Sequence, residues 1–435
     1  MAKILFISYY WPPSGGPGVQ RGVKLVKYLH RLGQEVFVVA PHENHASYPA
    51  YDEEMQQDIP EGVKVVKTKS FEVLDFYKKT LGKGSIPAPS FANESKPTLG
   101  QKLARFIRGN FFIPDVRRGW NRYAFNAAAQ LIKEHQIDYL ITTGPPHSTH
   151  LIGLELKKKN NIKWLADFRD PWTDMFWYAE LMQTKPARQL DAYYERKVLK
   201  KADFKVAATH YNMQLFQQKL SPDERHHFHM IPNGYDEDDF QNLSNTFPKD
   251  KWVITYAGTL SGNYAPEAVF EAIAALPEKV KNKICLQFVG AIAPEVKELL
   301  EKYQLQENAA FTGYVSHKEV LAFLMKACLL WIIIPEHANE KGMVPGKLYE
   351  YLRTQKYILN LGPKDGLTAD FIKHAGLGES FERTDRKAIQ GYLLQLFEVW
   401  EKTGENRPIA VNDSFVEQFS RAHTTQKVLS ILTAP

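Results

Sequence analysis

Residues 3–40 alone commit this chain to a parallel sheet. Lys3-Ile-Leu-Phe-Ile-Ser8 is an apolar run of strand length, a Pro/Gly-rich loop occupies residues 11–18, and Val19, Val23, Val26 and Leu29 then recur at helical spacing before Gly33. A second short apolar run fills residues 35–40. Strand, glycine loop, helix and strand in that order make a βαβ unit, which predicts an α/β fold with a doubly wound sheet.

The alternation continues. Further strand-length runs lie at residues 63–66, 137–142, 163–167, 204–208 and 228–231, with helical patterns at 123–135, 148–159 and 189–201. After the turn Pro232-Asn-Gly234 and a polar, Asp-rich stretch, a new series begins with runs at 252–257, 284–289, 309–312, 329–334 and 357–361. Helices are expected to start near Pro266, Pro294, Ser316, Pro345 and Thr368. A chain of 435 residues divides naturally into two such α/β domains, with the boundary near 232/233. Residues 413–432, with Asp413 as cap, read as a final helix able to pack on either domain. Residues 77–97, rich in Lys, Gly, Pro and Ser, have no period and read as a mobile excursion from the first sheet.

Composition excludes several classes. Lys plus Arg number 55 and Asp plus Glu 49, and a net charge of +6 over this length is too small to mark a nucleic-acid binder. Cys285 and Cys328 sit in apolar runs away from any ligand spacing, which argues against disulfides or structural zinc and for a reducing, cytoplasmic compartment. The longest apolar run, residues 327–334, is far below the about 18–20 residues of a membrane span. The first strand is too short for a signal h-region.

Ligands of open α/β sheets bind beyond the carboxyl ends of the strands, so two such domains are expected to face each other across a cleft. Three loops there carry chemistry. Ser14-Gly-Gly-Pro-Gly18 precedes a helix and suits backbone contact with a phosphate or sugar oxygen, or is a plain tight turn. It lacks the third glycine and the acidic ribose ligand of a dinucleotide fingerprint, which disfavours a nicotinamide enzyme. Asp167-Phe-Arg169-Asp170 follows a strand; it suits hydrogen bonding to sugar hydroxyls and proton acceptance, or an internal Arg–Asp pair and a helix cap. His147 begins a helix after another strand, as a catalytic group or a structural histidine. Lys347 and Glu350 share a helix face, a cation for a diphosphate one turn from a carboxylate for ribose hydroxyls, or a surface ion pair.

Over nearly its full length the chain resembles a family 4 glycosyltransferase of the GT-B fold. The resemblance is carried by residues 3–16, Ile231-Pro-Asn-Gly-Tyr-Asp236, Tyr256-Ala-Gly-Thr-Leu260, Phe311-Thr-Gly-Tyr314 and Gly346-Lys-Leu-Tyr-Glu-Tyr-Leu352. It implies two Rossmann-like domains: 1–232 binding the acceptor, with 413–435 returning to it, and 233–412 binding the nucleotide-sugar. It also implies retention of anomeric configuration. Gly15 and Gly16 then match the loop at the donor phosphates and sugar, Gly258 and Thr259 the first turn of the donor domain, and Tyr314 and Val315 the region beside the base. Glu350 matches the second Glu of the family's Glu-x7-Glu motif. The first Glu of that motif falls on Gly342, with Glu340 out of register, and the family's Arg after the first donor-domain turn is replaced within Thr259-Leu-Ser-Gly-Asn263. Lys347, helped by Arg21, is left to neutralise the diphosphate.

The expected activity is transfer of a hexosyl-type group from a UDP- or GDP-linked donor to a saccharide or lipid-linked acceptor, in polysaccharide or glycolipid assembly, with no cofactor and no metal. Alternatives are a sugar-nucleotide epimerase or hydrolase, and a non-catalytic GT-B subunit that binds a partner or nucleotide-sugar. Between residues 101 and 122, Lys102, Arg105, Arg108, Arg117, Arg118 and Arg122 face the single acid Asp115, interleaved with Phe106, Phe111, Phe112 and Trp120. That mixture suits peripheral contact with an anionic membrane at its inner face, or a solvated helix with its aromatics in the core.

Overall fold

The structure, a computed structural model, describes residues 1–72, 99–175, 177–261 and 264–434. The expected excursion at 77–97 lies outside the described residues. The chain divides into two compact units, Met1–Asn233 with Arg421–Pro435, and Gly234–Ser420.

The first unit is built on seven strands: β1 (Lys3–Ile7), β2 (Glu35–Pro41), β3 (Lys64–Thr68), β4 (Tyr139–Gly144), β5 (Lys163–Phe168), β6 (Phe204–Ala207) and β7 (Phe228–Met230), in the order β3-β2-β1-β4-β5-β6-β7. All pairs are parallel. Alternate side chains of β1 leave on opposite faces. Ile4 and Phe6 meet Val19, Val23 and Val26 of helix Pro17–Arg31, while Leu5 and Ile7 meet Ala124, Ala128 and Leu131 of helix Asn121–His135. Burial on both faces is why β1 reads as a continuous apolar run rather than an alternating one.

The second unit repeats the plan with β8 (Trp252–Ala257), β9 (Ile284–Val289), β10 (Ala309–Gly313), β11 (Leu329–Ile333), β12 (Tyr357–Leu361) and β13 (Gly378–Phe381), in the order β10-β9-β8-β11-β12-β13. In each sheet the strand order reverses beside the first strand, at β1/β4 and at β8/β11, which are the places where such sheets open a crevice. Both units are therefore Rossmann-like.

One expectation needs correction. Residues 413–432 are not a single helix but two. Asp413–Glu417, capped by Asn412 rather than Asp413, belongs to the second unit, where Phe415 and Phe419 pack on Phe371. Arg421–Thr433 belongs to the first unit, where Val428 and Leu432 join the core. The break is made by the backbone of Phe419 and Ser420, which leaves the helix to pair with Tyr235.

Candidate functional site

In the second unit the site grows from the ends of β8 and β11. Helix Lys347–Thr354 begins there, and the Tyr351 hydroxyl fixes it by accepting from the Ala257 amide (3.0 Å) and donating to the Trp331 carbonyl (3.3 Å). Lys347 Nζ donates to the Ala257 carbonyl at 2.9 Å and stands 3.8 Å from the centre of the Tyr256 ring. Both partners are uncharged. Burial alone pulls the Lys347 ammonium down from 10.5 to about 7. Gly258 follows with φ 107°, a conformation that favours glycine, and a Cβ there would lie 3.7 Å from the same ammonium. The structure thus brings Gly258 and Lys347 together with Tyr256, whose ring faces the charge.

Glu350 is not paired with Lys347. Its Oε1 lies 2.7 Å from His317 Nε2, and His317 Nδ1 lies 4.0 Å from Asp239 Oδ2. His317 opens helix His317–Lys326 just after β10, so the contact ties Glu350 to the loop carrying Tyr314 and Val315. Tyr314 is 75% exposed, while Val315 packs on the core. Thr259 is exposed, and its carbonyl accepts from the Tyr256 hydroxyl at 3.0 Å. At the position of the missing motif Glu, Gly342 is buried; Glu340 lies 3.5 Å from Arg383. No spacing in the sequence joins residue 317 to residue 350.

In the first unit two expected site residues are committed to each other. Arg21 grips Asp167 with two parallel bonds, Nη2 to Oδ1 at 2.7 Å and Nε to Oδ2 at 3.0 Å. Its other hydrogens go to the carbonyls of Ile231 and Pro232 and to Asn233 Oδ1. Burial raises the Asp167 pKa, yet Arg21 outweighs it and holds the carboxyl below the usual 3.8. Thr143 donates to the same carboxylate. The expected roles of Arg21 at a diphosphate and Asp167 at an acceptor are therefore corrected: with every Arg21 donor occupied, the pair clamps β5 to the chain leaving the domain.

His147 is corrected in the same way. It is buried, stacked on Trp172 at 4.8 Å, with Nε2 donating to the Pro171 carbonyl, and burial keeps it well below the usual 6.5. It supports the loop after β5 instead of facing solvent. That loop is further anchored by two acids unforeseen from the sequence. Asp191 accepts from Trp172 and Tyr178, and Glu195 accepts from Thr173 and Lys219. Both lie at helical spacing on Lys185–Lys201 and look like surface residues until the fold buries them.

Arg169 and Asp170 remain. Arg169 Nη2 donates to the Pro145 carbonyl, and its guanidinium rests on the Cα of Gly18, in the first turn of helix Pro17–Arg31. Any side chain at Gly18 would displace it. Asp170 is half-buried; burial raises its pKa above the usual carboxylate range although Arg169 pulls the other way. Gly16, with φ 107°, leaves open space, but the Gly15 amide already donates to the Ala50 carbonyl, and Gly15 packs on Asp52. Gly15 therefore shapes the loop and does not offer its amide to a phosphate.

The basic segment is also rearranged. Arg117 is buried against Glu72, and Arg105 pairs with Glu180. Trp120 is in the core. What helix Leu99–Phe111 exposes is mainly apolar: Leu99 is 86%, Leu103 60% and Phe111 73% exposed. No helix among the described residues is long and apolar enough to cross a membrane.

Comparison with known proteins agrees with this architecture. The chain is 22% identical over 242 residues to mannosylfructose-phosphate synthase of Agrobacterium fabrum, a match covering 49% of this chain and 52% of the relative. The chain thus spans about half the length of the curated relative it matches. Among solved structures it is similar to a glycosyltransferase from Rickettsia africae (TM-score 0.61, 15% identity, 100% of this chain and 99% of that one). It is likewise similar to sucrose-phosphate synthase from Thermosynechococcus elongatus (0.63, 14%, 99% and 98%). A third is WaaG, a glycosyltransferase involved in lipopolysaccharide biosynthesis (0.57, 15%, 99% and 100%). The chain has the GT-B fold of these proteins, and residues 237–405 match the family model for glycosyl transferases group 1.

Proposed function

We propose that the chain is a glycosyltransferase that moves a sugar from a UDP- or GDP-linked donor to a saccharide or lipid-linked acceptor in polysaccharide or glycolipid assembly, with retention of configuration. The observation that carries this reading is Lys347: a half-buried side chain at the switch point of the second sheet, its ammonium resting on a carbonyl and an aromatic face, with no carboxylate paired with it among the described residues. A diphosphate supplies that counter-charge.

In this reading Lys347 stabilises the leaving diphosphate, Glu350 accepts from the donor ribose, Gly258 and Thr259 line the phosphates, and Tyr314 and Val315 flank the base. On the first domain Gly16, Gly18 and Arg169 hold the sugar end of the donor or the acceptor, and Asp170 orients the acceptor hydroxyl. The hydroxyl attacks the anomeric carbon from the face the leaving group departs, and a departing phosphate oxygen takes its proton. The protein contributes position and positive charge. Membership of family 4 is part of the same proposal, as is work at the cytoplasmic face of a membrane, touched by Leu99, Leu103 and Phe111.

A second reading, a nucleotide-sugar-binding subunit without turnover, is favoured by the buried Gly342 in place of the motif Glu. Incubation with radiolabelled UDP- and GDP-sugars, with and without an acceptor panel, decides between them. Sugar transfer supports the first reading. Binding without any transfer or hydrolysis supports the second.

A further inference from the structure

The second unit holds another buried cation, at the opposite edge of its sheet. Lys356 immediately precedes β12, at the amino ends of the parallel strands, whereas Lys347 reaches the carboxyl end of β8. Lys356 is 1% exposed, and its Nζ has no hydrogen-bond partner among the described residues. It sits 3.5 Å from the centre of the Phe247 ring, and the Arg407 guanidinium lies 5.6 Å from the same ring. With Asn245 and Gln355 these residues line a cavity of about 90 Å³.

The charges do not balance. Arg407 is paired with Glu405 at 2.7 Å, and although Glu405 also acts on Lys356 from a distance, the Lys356 ammonium has a π face and no ion pair of its own among the described residues. Burial lowers its pKa and Arg407 adds to the effect, while Cys328 and Glu405 pull the other way; at about 8 the amine is still mostly protonated at neutral pH. An unpaired buried charge next to a like charge is unfavourable unless something neutralises it. Next to Arg407, Asn406 is fully buried with neither side-chain amide atom hydrogen-bonded. A compact cation beside a planar guanidinium is the pairing that recognises phosphate oxygens.

We infer that this cavity is a second anion site, taking inorganic phosphate or a phosphate monoester, separate from the nucleotide site at Lys347. The full-length protein is titrated with inorganic phosphate at constant ionic strength, using sodium chloride as the balance. Melting temperature and calorimetric affinity are followed in the unmodified protein and in Lys347→Met, Lys356→Met and Arg407→Gln. Phosphate should raise the melting temperature of the unmodified protein and of Lys347→Met. Lys356→Met should weaken phosphate binding by about tenfold or more while keeping nucleoside diphosphate binding, and should melt higher without phosphate because a buried charge is gone. Arg407→Gln, at an exposed position, tests the site without risk to the core and should weaken phosphate several-fold. Equal phosphate affinity in the unmodified protein and Lys356→Met, no response to phosphate at all, or a response lost in Lys347→Met instead would overturn the proposal.

Discussion

His317 and Glu350, 33 residues apart in sequence, meet with Nε2 and Oε1 2.7 Å from each other. The contact fixes the carboxylate at the start of helix Lys347–Thr354 and uses only one of its oxygens. The other is left to accept from a ligand. Glu350→Ala should therefore weaken nucleotide binding by about 1.5–3 kcal/mol, the size of a hydrogen bond to a charged group. His317→Ala, which only frees the carboxylate, should weaken it less. Calorimetric titration with UDP and GDP checks both; a larger loss from His317 than from Glu350 would reverse their roles.

Lys347 makes binding depend on pH. Burial draws its ammonium down to about 7, and a bound diphosphate raises that value. Affinity for a nucleoside diphosphate should fall as pH rises above about 7, with proton uptake on binding visible as a dependence on buffer ionisation enthalpy. Lys347→Met should lose this dependence and bind the diphosphate far more weakly, while binding the plain nucleoside as before. Because the unfolded chain holds that proton up to about 10.5, stability of the empty protein should rise with pH between about 7 and 10.5, and the substitution should flatten the rise.

Asp167 and Asp170, three residues apart, should fail differently. Asp167→Asn breaks a buried ion pair and should destabilise the protein by about 3–5 kcal/mol, seen in melting curves. The Asp167 pair adds stability above the usual carboxylate pKa that disappears as pH falls through its lowered folded value, so the variant should also lose this acid-side dependence. Asp170→Asn should leave melting and donor affinity nearly unchanged but lower kcat with acceptor by about tenfold or more. Steady-state kinetics beside calorimetry separates the two.

If helix Leu99–Phe111 meets a lipid surface, its apolar side chains carry the contact, since Arg105 and Arg117 are held by Glu180 and Glu72. Replacing Leu103 and Phe111 with Ser should then abolish co-sedimentation with vesicles containing anionic lipid, whereas added salt should weaken it only modestly. Strong salt sensitivity with no effect of the Ser substitutions would assign the contact to the basic residues instead.

Both sheets could be read from sequence because parallel strands buried on two faces leave unbroken apolar runs, as at residues 4–7 and 329–333. The edge strand Gly378–Phe381 leaves no such trace: its sequence is Gly-Glu-Ser-Phe. At the candidate site, Lys347 and Gly258 stand out in the sequence because each belongs to a local motif, and the fold places them near each other. Asp167 was legible as a charged residue in an apolar strand but not as the partner of Arg21, 146 residues away. His317 was invisible for the same reason. Spacing reports neighbours along the chain, and these side chains take their roles from neighbours across the sheet.

The helix Arg421–Thr433 places Val428 and Leu432 against a core that begins with Ile4. During synthesis the first domain therefore carries an uncovered apolar patch until residues 421–433 leave the ribosome, with all of residues 234–420 emerging in between. The domain that starts first is completed only after the second one has been made. Loss of residues 421–433 would harm the domain that starts at residue 1 and spare the one that lies next to the cut in sequence.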